Sequence, residues 1–128
     1  MYRLTAILLS LFLAAVVLAT PLERAAEEVW NPRITRPAAG DKWLVGSKQT
    51  VSWDTSTLPP RAQNSTGRVL LGYDEGSSEN LDNAHPLASG FKLMDGHVTF
   101  KVPNATRRDN YIVALFGDSG NISPRFTI

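Results

Sequence analysis

The sequence contains no cysteine, only two histidines and only two methionines in 128 residues. Without cysteine there can be no disulfide, no thiolate metal site and no thiol or dithiol chemistry. Small exported domains often lean on disulfides; this chain has to rely on apolar burial and backbone hydrogen bonding instead. His85 and His97 form neither an HExxH motif nor a close ligand pair, so no metal site and no cofactor is expected. An excess of one charge is also missing, with 13 Lys plus Arg against 12 Asp plus Glu. Phosphate binding wants a basic face, so nucleic acid is not an expected partner. Nor does the net charge call for an anionic membrane.

Long hydrophobic runs are scarce too, and the single one is informative. Met1-Tyr2-Arg3 is a short, positively charged start, and Leu4 to Ala19 is then almost wholly apolar. A bilayer span takes about 20 apolar residues, whereas a signal-peptide core is shorter. Val17-Leu18-Ala19 offers a small-residue exit, and Pro21 follows as a helix stop. Residues 1–19 are therefore expected to be a signal peptide cleaved after Ala19, with Ala25 or Ala26 as later alternatives. Its removal takes Arg3 and leaves the mature chain close to neutral. What remains is roughly 110 residues, enough for one domain with a modest core. Export gives meaning to three N-glycosylation sequons, at Asn64, Asn104 and Asn121. Pro124 behind the third is expected to weaken it.

Residues 20–32 read as a flexible or briefly helical leader, ended by Asn31-Pro32. From Arg33 onward short alternating runs are separated by turn residues. Val51 and Trp53 share a face, as do Val69, Leu71 and Tyr73, and then Val98, Phe100 and Val102. Short strands are expected at 33–36 and 42–45, and an edge strand near 87–93. Asp95-Gly96 reads as a hairpin turn. Residues 110–117 are apolar on both faces, as a central strand requires, and 123–128 close the chain. About seven strands with regular turn signals predict an all-β fold over 33–128, an immunoglobulin-like or fibronectin III-like antiparallel sandwich. Tyr111 stands two residues before Val113, where such domains place a corner tyrosine before a cysteine.

Candidate chemistry is thin. Asp74, Glu75, Glu79 and Asp82 cluster in a loop, but their spacing matches no calcium loop, and Gly76-Ser77-Ser78 suggests a mobile, solvated segment. There is no GxSxG elbow. A hydrolase would need converging carboxylates, for instance Asp54 with Asp74 or Glu75. No catalytic residue is assigned, and the chain is expected not to be an enzyme. Aromatics are the better lead, because flat rings stack on sugars. Trp53, Tyr73 and Tyr111 lie at inward positions, which leaves Trp43, on a short edge strand, and Trp30, in the leader, as the candidate ligand-binding residues.

Ile34-Thr35-Arg36-Pro37-Ala38-Ala39-Gly40-Asp41-Lys42-Trp43, then Val51-Ser52-Trp53-Asp54, Asn80-Leu81-Asp82, His85-Pro86-Leu87 and Gly117-Asp118-Ser119-Gly120-Asn121-Ile122-Ser123-Pro124 resemble the fungal Kre/Knh-like family over about Arg33 to Ile128. The resemblance implies an immunoglobulin-like domain outside the cell or in its wall, linked to β-1,6-glucan synthesis or assembly. The implied partners are wall β-glucan or wall glycoproteins. The alternative is a protein-interaction module or a secreted host-interaction factor that binds no glycan. Relatives often continue into a Ser/Thr-rich stalk and lipid-anchor signal. With neither after Ile128, and with no transmembrane or GPI anchor in the mature chain, a freely secreted form is expected. The resemblance carries no catalytic residues.

Overall fold

The alternating runs form strands, and their apolar faces turn inward as the period of two requires. The computed structural model describes residues 30–117 and 119–128. The expected signal peptide and residues 20–29 of the expected leader lie outside the described residues. Among the described residues there are seven strands: β1 (Ile34–Arg36), β2 (Lys48–Trp53), β3 (Thr66–Tyr73), β4 (Ala88–Lys92), β5 (His97–Lys101), β6 (Tyr111–Phe116) and β7 (Gly120–Ile122). One sheet has the order β1-β2-β5, the other β4-β3-β6-β7. Every pairing within them is antiparallel. Placing the fourth strand beside β3 gives a three-plus-four sandwich, the fibronectin III-like variant of the immunoglobulin plan.

Between the sheets, Val51 and Trp53 of β2 meet Val69 of β3 and Tyr111, Val113 and Leu115 of β6. Val51, Val69, Val113 and Phe126 retain no exposed surface. β6 is buried on its other face as well, through Ile112 and Ala114 beside Leu70 of β3. That accounts for its unbroken apolar run: it lies between β3 and β7. The Tyr111 hydroxyl donates to the Thr106 carbonyl five residues upstream. The tyrosine corner is thus formed, and Val113 occupies the inward site that a cysteine holds in disulfide-bonded relatives of the fold.

Several expectations are corrected. Residues 42–45 do not form a strand. Lys42 makes one parallel bridge to Thr127, and the chain then turns at Gly46, whose φ is +83°. Asp95-Gly96 is not a hairpin turn, because β4 and β5 belong to different sheets. Leu93–Asp95 forms a 3-10 turn closed by Gly96 at φ +76°, which carries the chain across the sandwich. Leu93 is buried at this crossing, and its carbonyl accepts the Trp53 indole N–H at 2.8 Å. The closing strand starts three residues earlier than expected, at Gly120, and beyond Ile122 only bridges at Phe126 and Thr127 remain.

The acidic loop is not a loose segment. Gly76 and Ser77 both have positive φ, and Glu75 and Ser78 exchange two backbone hydrogen bonds at 3.1 Å. This is the geometry of a two-residue hairpin turn. Asn80, at φ +44°, donates its side-chain amide to the carbonyls of Tyr73, Glu75 and Ser78. Tyr73 N–H reaches Glu79, while Asp82 and Leu87 N–H groups reach Leu71 and Val69. The segment is therefore laced along the free length of β3, in line with β4.

Candidate functional site

Both tryptophans that sequence reasoning offered as exposed platforms are buried. Trp43 is 5% exposed and Trp30 is 6% exposed. The Trp43 ring packs on Phe126 with centroids 4.4 Å apart and edge-on to Phe100 at 5.6 Å. The indole forms only the back wall of a shallow depression between β1 and β2, with Arg36, Asp41, Lys48 and Thr50 around it. Trp30 is tied down at both ends: its indole N–H donates to Thr57 Oγ1 at 3.1 Å, and its carbonyl accepts the Ser119 hydroxyl at 3.1 Å. The physical reason is the same in both cases. A small cysteine-free sandwich needs large side chains to close its open ends, and indole rings fill that space.

The motifs that carry the family resemblance divide into scaffold and surface. In the Pro37 to Trp43 stretch, the Asp41 carboxylate accepts the Ala38 N–H at 2.9 Å, and Gly40 at φ +79° donates to Arg125 at 3.0 Å. Asp54 ends β2 by accepting the Ser56 amide at 2.8 Å. That backbone hydrogen bond, helped by the Ser56 side chain and the nearby Arg33, holds its carboxyl below the usual aspartate value. Ser119 and Asn121 grip the incoming chain at Trp30 and Pro32. These residues shape the domain.

The Asn80-Leu81-Asp82 and His85-Pro86-Leu87 motifs instead wall a surface cleft of about 580 Å³. It lies between the end of β3, the 80–87 segment and the 101–108 segment. Leu71, Leu87, Ala105 and Tyr111 give it an apolar floor, while Asp82, His85, Lys101, Asn104, Thr106 and Arg108 stand on its polar rim. Arg108 is the organising cation. Its guanidinium lies 3.9 Å from the centre of the Tyr73 ring and 3.7 Å from a Glu75 carboxylate oxygen. Stacking of this kind fixes a long side chain without removing its outward N–H donors. Asp82 accepts the His85 backbone N–H at 3.2 Å and meets His85 Nδ1 at 3.2 Å, which leaves Nε2 free to face a ligand. Burial raises the Tyr111 hydroxyl above the usual tyrosine value, with the Arg108 charge and hydrogen bond opposing that shift. The hydroxyl therefore stays protonated and keeps donating to Thr106.

The carboxylates considered for hydrolysis do not converge. Asp54 holds Ser56, Asp74 holds Arg125 at 2.8 Å, and Glu75 faces Arg108; none of the three lines the cleft. The three sequons differ in their surroundings. Asn64 and Asn104 are exposed. Asn121 is half-buried, with its side-chain amide donating to the Pro32 carbonyl. Sequence reasoning weighed His85 only as a metal ligand and Asp82 only within the acidic cluster, quoted both with Asn80 as family motifs, and gave Arg108 no role. The pairing of Arg108 with Tyr73 spans residues far apart in sequence, and no local signal marks it.

Two antiparallel sheets, a tyrosine corner and a polar-rimmed surface cleft define an immunoglobulin-like domain. The chain belongs to the Kre9/KNH-like N-terminal Ig-like domain family, which it matches over residues 36–128. No curated protein and no solved structure matches it significantly. The family is a cell-wall, glucan-related one, and its immunoglobulin-like domain is not a known catalytic fold. Among the described residues, no helix is long and apolar enough to cross a membrane.

Proposed function

We propose that this protein is an exported, non-catalytic domain of the cell wall that holds a β-glucan segment in the cleft beside Tyr73 and Arg108. The observation that carries this reading is the cleft itself, an apolar floor ringed by Asp82, His85 and Arg108. A sugar ring has one weakly polar face and a belt of hydroxyls. An apolar floor suits the face, and carboxylate, imidazole and guanidinium groups suit the belt. Family membership supports glucan as the polymer, and the apolar run at residues 4–19 supports export.

Retention on insoluble β-1,6- and β-1,3-glucan, measured by pull-down, tests this reading. The expected result is retention that falls about five- to thirtyfold in His85→Ala and in Asp82→Ala, since each removes polar contacts worth roughly 1–2 kcal/mol. Both side chains are exposed, so melting temperature should barely change. Absence of retention on either glucan, or equal retention of both variants, would remove the cleft as the site.

A further inference from the structure

The turn between Trp43 and Lys48 presents apolar side chains where a turn ordinarily presents polar ones. Leu44 is 77% exposed and Val45 is 49% exposed. The turn is stiff. The Ser47 amide and hydroxyl both donate to the Leu44 carbonyl, at 3.0 and 2.6 Å. Gly46 N–H donates to Val102 and Val102 N–H to Ser47, both at 2.9 Å. Leu44 and Val45 are thus held outward by a backbone fastened to the end of β5.

Three lysines surround this tip. Lys42 and Lys48 flank it in sequence, and Lys101 lies directly opposite Lys48 in the β2–β5 ladder. The Lys101 stem runs beside Gly46, its Cε 3.8 Å from where a Cβ on that glycine would stand. Like charges opposed in a sheet repel one another. Among the described residues none of the three lysines takes part in an ion pair. The only acidic residue between 41 and 48 is Asp41, and its carboxylate is held by the Ala38 amide.

We propose that this tip docks on an anionic lipid bilayer, with Leu44 and Val45 entering the interface and Lys42, Lys48 and Lys101 meeting headgroup phosphates. An apolar wedge ringed by cations matches the two layers that a membrane surface offers in sequence. The near-zero charge of the whole molecule does not oppose this, because the attraction acts within about one Debye length of the surface. A protein partner fits less well: two aliphatic side chains on a tip bury far less area than a stable protein interface needs.

Co-sedimentation of the folded protein with phosphatidylcholine vesicles, with and without phosphatidylglycerol, at low and high salt, tests the proposal. Binding is expected only to the anionic vesicles and only at low salt. The Leu44→Ser/Val45→Ser double variant should lower the bound-to-free ratio roughly tenfold, and Lys42→Ser or Lys48→Ser about fivefold each. Met94→Ser, which removes an exposed apolar side chain at the opposite end of β5, should change nothing. An unchanged melting temperature in the double variant separates lost docking from lost folding. None of the substituted residues lines the glucan cleft, so this test and the glucan test fail independently. No binding to anionic vesicles overturns the proposal, as does undiminished binding by the double variant. A concentration-dependent dimer that the double variant abolishes, without vesicle binding, would overturn it too and assign the tip to self-association.

Discussion

Tyr111 shows what one residue contributes to this fold and how its chemistry can be read out. Its hydroxyl ties β6 to the 103–108 segment, which also forms one wall of the cleft. Tyr111→Phe keeps the ring and loses the donor, so unfolding free energy should drop by about 1 kcal/mol in urea titration. The pH dependence has a definite sign. Burial raises the folded-state value above the unfolded one, so the neutral form is favoured in the folded protein. The associated stability is fully present below the ordinary tyrosine value, near pH 10, and is lost as pH rises through the raised folded value. Tyr111→Phe should therefore flatten the alkaline limb of a stability-versus-pH curve. Asn121 gives a second test at this scale. Its amide is engaged by Pro32, whereas Asn64 and Asn104 are open. Peptide mapping of protein secreted from a eukaryotic host should find glycan on Asn64 and Asn104 and little on Asn121. Full occupancy of Asn121 would contradict the Pro32 contact in the mature fold.

At the scale of elements, β3 and the segment laced to it decide whether the cleft exists. The polar composition of 74–87 reads as a solvated loop, and local pattern offers nothing more. The hydrogen bonds that lace it to β3 require a close approach that only Gly72 permits. A Cβ there would lie 2.3 Å from the Glu79 carbonyl oxygen and 2.7 Å from Leu81 Cδ2. The first contact is with backbone and cannot be relieved by a rotamer change. Gly72→Ala should cost about 2 kcal/mol or more in denaturant titration, by forcing the segment off β3. It should also loosen Asp82 and His85, so hydrogen exchange across 79–87 should speed up markedly. Slow exchange there in the variant would show that the segment does not depend on this contact. The strands themselves were legible because alternation at Val51/Trp53, Val69/Leu71 and Val98/Phe100 reports which face is buried. The turn at Asp95-Gly96 was not, because a turn dipeptide says that the chain reverses but not which sheet receives it.

The whole molecule is a small sandwich closed by aromatic plugs rather than by a disulfide. Trp43, on Phe126 and Phe100, seals one stretch of the inter-sheet space; Trp30, held by Thr57 and Ser119, seals another. Trp43→Ala should cost about 3–5 kcal/mol, a large part of the stability of a domain this size. Thermal melting followed by circular dichroism should show a fall of well over 10 °C, on the order of 4–8 °C per kcal/mol. Any glucan binding lost by that variant should track its unfolded fraction. Loss of binding in a fully folded Trp43→Ala protein would restore the indole as a contact.

The amino-acid sequence determined the sandwich, its inward rows, the tyrosine corner and the family, because each of these is written in local spacing: period-two alternation, a tyrosine two residues before Val113, and motifs of a few residues. Tertiary structure alone decided which side chains became surface. Whether Trp43 or Trp30 faces water depends on its tertiary partners, which are Phe126 in one case and Thr57 with Ser119 in the other. The cleft has the same origin. Tyr73 and Arg108 are far apart along the chain, and only the pairing of β3 with β6 brings them within stacking distance. Exposure and juxtaposition are properties of the packed chain, and no short window of sequence contains them.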